Sequence, residues 1–187
     1  MMMRAPQWTN FAAFQAAWLI AVWGASSDLT WLGPVAVLLW IGAYWCWQET
    51  ARSDLKLLLG AGVLGWITDS ILVLAGVIAF PESAGHGYPT TVWMVALWIN
   101  LAAALRHSMY WLCERFGLAT VFGAIGGPLA YLAGEKLGAI EVQVLSGVVI
   151  AWMIAMPCLL LLEMHTRRRS LAHPAGASVS TIPRREQ

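Results

Sequence analysis

The stretch 123-GAIGGPLAYLAGEKLGA-139 decides how this chain is read. It sets small residues four apart on two neighbouring rows. Ala119, Gly123 and Gly127 make one row, and Gly126, Ala130, Gly134 and Gly138 make the other. In water such a run is a poor helix, because each glycine costs about 1 kcal/mol relative to alanine. In a bilayer the same composition is an asset, because small residues let two helix backbones approach closely. Pro128 lies inside the run and removes one backbone donor, which a spanning helix tolerates only where its neighbours satisfy the freed carbonyl. The run predicts a helix packed centrally in its bundle, with Gly123, Gly126, Gly127, Pro128, Tyr131, Gly134 and Gly138 as the packing motif.

The rest of the chain agrees with a membrane setting. Its 187 residues are 59% hydrophobic and 11% charged, where a soluble domain carries about 25% charged residues. Several apolar runs reach spanning length. The pattern predicts an all-α, polytopic bundle of six transmembrane helices over residues 1–165, followed by a basic, disordered cytoplasmic tail over 166–187. The six helices are expected near Trp8–Ala25, Trp31–Trp47, Leu55–Phe80, from a cap at Thr90 or Thr91 to Cys113, Gly117–Gly134 with a continuation open as far as Leu137, and Ile140–Glu163, with 81-PESAGHGYP-89 as a turn-rich connection. Ser53 or Asp54 is placed to cap the third helix.

Orientation follows from the basic residues. With a cytoplasmic N-terminus, ten of the eleven lysines and arginines fall inside and only Lys136 falls outside, as the positive-inside rule requires. Both ends are then cytoplasmic. Trp8, Tyr44, Trp45, Trp47, Tyr110 and Trp111 form an inner aromatic belt, and Trp23, Trp31, Tyr88 and Trp93 an outer one. Cys46, Cys113 and Cys158 fall near the reducing side and lack metal-type spacing, so neither a disulfide nor a metal site is expected.

Polar residues inside the spans are the candidates for function. Asp69 lies near the middle of helix 3, where a carboxylate costs about 3 kcal/mol or more and must face protein, water or a proton. Asn100 lies at similar depth on helix 4, in a seven-residue stripe with Trp93, His107 and Glu114. Arg106 points about 120° away from that stripe and needs a carboxylate or a lipid phosphate as partner. Asp69, Asn100, Arg106 and His107 make one candidate polar site; the simpler reading of Asp69, Asn100 and His107 is interhelical hydrogen bonding, worth about 1 kcal/mol per contact, and that of Arg106 is snorkelling to the interface, against a lipid-headgroup role. Trp18, Trp40, Trp66, Trp98 and Trp152 lie away from the interfaces and either line a cavity for a flat or acyl ligand or fill space between helices. There is no phosphate-binding glycine loop, GxSxG or HExxH, and no basic stripe for nucleic acid.

Three segments carry a family resemblance: 10-NFAAFQAAW-18, 101-LAAALRHSMYWL-112 and, most specifically, 127-GPLAYLAGEKLGA-139. With these the chain resembles a family of small bacterial inner-membrane proteins of unknown function. Members of that family are often encoded beside cyclopropane-fatty-acyl-phospholipid synthase and other fatty-acid-modifying enzymes. The resemblance implies a role near lipid modification, with membrane lipids and lipid-modifying enzymes as partners, and it supplies no catalytic residues and no cofactor. The expected function is a non-enzymatic accessory factor that binds lipid or an acyl chain. The alternative is a small transporter or flippase using the mid-membrane polar site. An enzyme ranks last, because no acid, base and nucleophile converge.

Overall fold

The computed structural model of the chain describes residues 7–47, 51–82 and 87–172. The tail before residue 7, the loop at 48–50, the turn at 83–86 and the tail beyond 172 lie outside the described residues. Among the described residues there are seven helices: α1 (Gln7–Ser26), α2 (Leu32–Trp47), α3 (Ala51–Leu74), α4 (Val92–His107), α5 (Tyr110–Cys113), α6 (Phe116–Lys136) and α7 (Leu145–Ala172). Two short strands, β1 (Ile78–Ala79) and β2 (Glu141–Val142), pair antiparallel.

Among the described residues, three helical segments are long and apolar enough to cross a membrane: Asp54–Leu74, Phe116–Lys136 and Leu145–Arg168. Two shorter apolar helices, Leu32–Cys46 and Val92–His107, accompany them. Large apolar side chains also cover the outside of the bundle, among them Leu38, Val63, Ile125, Ile150 and Ile154. Exposed apolar surface on this scale marks contact with lipid or protein rather than water.

The centre belongs to α4, which packs on α1, α2 and α3 and also touches α7. The expectation that the glycine-rich helix sits centrally is therefore corrected. That helix, α6, packs chiefly along α7 at the side of the bundle. Only one stripe of it, through Ala119, Gly123, Gly127, Pro128, Tyr131 and Gly134, is buried, while Val121, Ile125 and Leu129 face outward. The first of the two small-residue rows makes the helix contact. A Cβ on Gly127 would lie 2.0 Å from the Trp152 ring, and one on Gly123 would lie 2.5 Å from Met156. Close approach recurs at Gly65, where a Cβ would lie 2.0 Å from Trp98, and at Gly33, 2.7 Å from Ala21.

Gly138 is not a packing residue. Its φ is +79°, and Ala139 N–H bonds the Gly134 carbonyl while Gly138 N–H bonds the Glu135 carbonyl. That is a left-handed helix terminus, which glycine adopts without a steric penalty. Gly76 ends α3 in the same way, with φ +67° and Val77 N–H on the Leu72 carbonyl. The third helix thus stops at Leu74, short of Phe80, and the freed chain forms β1. The fourth helix stops at His107, short of Cys113, because the Ala104 carbonyl accepts from the N–H groups of both Ser108 and Met109 and from Ser108 Oγ. The last helix starts at Leu145 and runs to Ala172, so residues 166–172, assigned to the tail, are helical. Trp93, assigned to the outer belt, is buried against Phe80 in an edge-on ring contact.

Leucine at Gly127 should lower the melting temperature in detergent strongly, since overpacking costs about 1–3 kcal/mol or more. Leucine at Val121, which is exposed, should melt like the wild type. Alanine at Gly138 should cost about 1–2 kcal/mol through its positive φ alone. Equal melting of the Gly127 and Val121 variants would refute the α6–α7 contact.

Candidate functional site

A groove of about 380 Å³ lies between α1 and α6, with α4 and α7 behind it. Its walls are almost wholly apolar. Phe11, Phe14 and Trp18 come from α1, Trp98 from α4, Tyr131 from α6 and Trp152 from α7. Of the five tryptophans expected away from the interfaces, Trp18, Trp98 and Trp152 line this groove. Trp40 instead makes a hydrogen bond between helices, and Trp66 faces outward. The second small-residue row has a part here too: Gly126 and Ala130 line the groove rather than a helix contact.

The inner wall is an aromatic set held by one acid. The Trp98 and Trp152 rings stack at 4.9 Å and 10°, and Tyr131 meets Trp152 edge-on at 6.3 Å. Trp98 packs closely against Gly65, and Trp152 against Gly127. Behind them Asp69 is fully buried. One of its oxygens accepts from Trp98 Nε1 at 2.9 Å, and the other accepts from the Tyr131 hydroxyl. Asp69 therefore does not line the groove; it fixes two rings that do.

Asn100 occupies a second, separate cluster. Its Oδ1 accepts from Trp40 Nε1 at 2.9 Å, and its Nδ2 donates to the Phe14 carbonyl at 3.0 Å. One amide thus ties α4 to α2 and to the α1 wall of the groove. The third cluster lies where the ends of α2, α4 and α7 meet the start of α3. Arg106 Nε is 3.3 Å from Asp54, its Nη1 is 3.4 Å from Glu163, and its Nη2 donates to Thr166 Oγ1 at 3.1 Å. His107 bridges Asp54, at 3.2 Å, and the Tyr44 hydroxyl, at 3.1 Å. The four candidate polar residues consequently fall into three clusters, with only Arg106 and His107 together.

Two members of the third cluster were hidden in the sequence. Asp54 resembles a helix cap, and Glu163 resembles the polar end of a span, yet both are buried and both pair with Arg106. The available signal was the need of Arg106 for a carboxylate, combined with the alternation that brings 54, 106 and 163 to one end. Among the described residues no group of three or more His, Cys, Asp or Glu side chains is placed to hold a metal ion.

Spanning-length apolar helices and an apolar exterior, with Asp69, Asn100 and Arg106 engaged between helices, define a multi-pass α-helical membrane protein. Within that class, the chain belongs to the family described as protein of unknown function DUF2878, whose model matches residues 7–162. No curated protein and no solved structure matches it.

Removing both acceptors with Asp69→Leu should cost about 1–3 kcal/mol for each stranded donor, and Asp69→Asn, which keeps one acceptor, should cost clearly less. Thermal melts with tryptophan fluorescence would read both; equal losses would show that Trp98 and Tyr131 do not depend on this acceptor. Arg106→Met should cost about 3–5 kcal/mol by leaving the Glu163 carboxylate buried without its cation, and Glu163→Gln should recover part of the loss.

Proposed function

We propose that this protein takes up an acyl chain of a membrane lipid in the groove between α1 and α6. The observation that carries this reading is the groove itself: 380 Å³, nearly all apolar, with a partly rigid aromatic wall. Pockets of about 300–1,000 Å³ with such linings are typical ligand sites. Apolar side chains that face outward border it, so lipid chains are the molecules nearest its mouth.

In this proposal the chain crosses the bacterial inner membrane six times, through α1, α2, α3, α4, α6 and α7. The Arg106 end is cytoplasmic, because Arg115, Arg167 and Arg168 share that end, whereas Lys136 is at the other. The role is that of a non-enzymatic accessory factor in membrane lipid modification, acting beside lipid-modifying enzymes. That part rests on the gene neighbourhood implied by the resemblance. The alternative, a small transporter or flippase, needs Asp69, Asn100, Arg106 and His107 along one path. Their three separate clusters, with Asp69 closed behind Trp98 and Tyr131, favour the binding reading.

Lipid extracted from protein purified gently in detergent, and measured by mass spectrometry, tests the proposal. An acyl lipid should co-purify with the wild type, and Gly126→Trp should reduce it at least about tenfold, or about 1.4 kcal/mol, by filling the groove. Retention unchanged by that substitution would move the lipid elsewhere. Reporter fusions at Ala84 and at the C-terminus test the topology; a periplasmic signal from the C-terminal fusion would overturn it.

A further inference from the structure

We infer that the groove measures its ligand: it accepts one acyl chain of about fifteen carbons, and Gly126 sets the usable length. The inference rests on the acyl-binding reading and adds the size class of the chain and the residue that determines it.

The capacity follows from volume. An apolar cavity of about 150 Å³ takes up benzene, which is roughly 25 Å³ per carbon. On that scale 380 Å³ accommodates about fifteen carbons, one chain and not two. A single lipid tail fits that volume and matches its almost wholly apolar lining.

Shape follows from the lining. Met109, beyond the end of α4, and Ile140, beyond the end of α6, both line the groove, so it extends toward both ends of the bundle. Gly126 is the middle residue of α6. Unlike Gly123 and Gly127, it has room: a Cβ there would meet only Phe122 of its own helix, at 3.7 Å. A side chain at 126 thus occupies groove space without pushing on α7. Ala130, one turn further, lines the same wall. The back of the groove is braced where Trp98 and Tyr131 are tied to Asp69 and Trp98 stacks on Trp152, and the facing α1 wall is tied to α4 by the bond from Asn100 Nδ2 to the Phe14 carbonyl, so the groove does not simply widen to absorb a longer chain.

Leucine in place of Gly126 adds four carbons to the wall and leaves space for about four fewer in the ligand. Each methylene taken up is worth about fourfold in affinity. The test uses full-length protein in detergent and a series of saturated lysophospholipids of one headgroup, from about eight to about twenty carbons, read by native mass spectrometry. The wild type should gain about fourfold per methylene up to about fifteen carbons and then level off. With Gly126→Leu the plateau should begin about four carbons earlier, and with Ala130→Leu about three carbons earlier, so either variant suffices if the other does not fold. Affinity that keeps rising past eighteen or so carbons, or a plateau that neither variant moves, overturns the ruler while leaving the acyl-binding reading in place. A wild type that retains none of the series overturns both.

Discussion

Asp69 gives one oxygen to Trp98 and the other to Tyr131, and much of the bundle depends on that pair of bonds. Lipid tails are as apolar as leucine, so helices in a bilayer gain little from hiding apolar surface against each other. Close packing and hydrogen bonds between helices supply what cohesion there is. A single carboxylate on α3 engages α4 and α6 directly, and through the Trp98–Trp152 stack it braces α7 as well. The cost of placing an acid at that depth is offset only if both oxygens find donors, and both do.

The glycines complete the same arrangement from the other side. Trp98 and Trp152 can approach the neighbouring helices closely because Gly65 and Gly127 present bare backbone to them. Large flat side chains on one helix and missing side chains on the next are a single packing solution. It also leaves the groove: α6 is held along α7 by its smallest stripe, and its neighbouring row, at Gly126 and Ala130, is left facing α1 across open space. The groove is a consequence of how α6 is fastened.

The two remaining polar clusters divide the bundle by depth. Asn100 joins three helices through neutral bonds at mid-height. The ionic cluster of Arg106, Asp54, Glu163 and His107, with Tyr44 bonded to His107, gathers four helices at one face. The β1–β2 pair links the connections at the opposite face, after the two glycine-terminated helices. Each level has its own crosslink, so the helices are tied together at both ends and in the middle.

Composition and periodicity by themselves determined the class of this protein: apolar runs of spanning length, few charges, and small residues spaced for helix contact can satisfy backbone and side chains only in a helical bundle within lipid. They also determined that Asp69 and Arg106 required partners, since a charge at those positions is too costly alone. They could not determine which partners. Hydrogen bonds and ion pairs between the helices join residues 29 to 86 positions apart, and the helical period gives the direction of a side chain but not the neighbour it meets. Gly126, Gly127 and Gly138 are identical as letters. Only the tertiary structure made one a groove wall, one the bed of a tryptophan and one a helix terminus, because a glycine's role is defined by what approaches the space where its side chain would be.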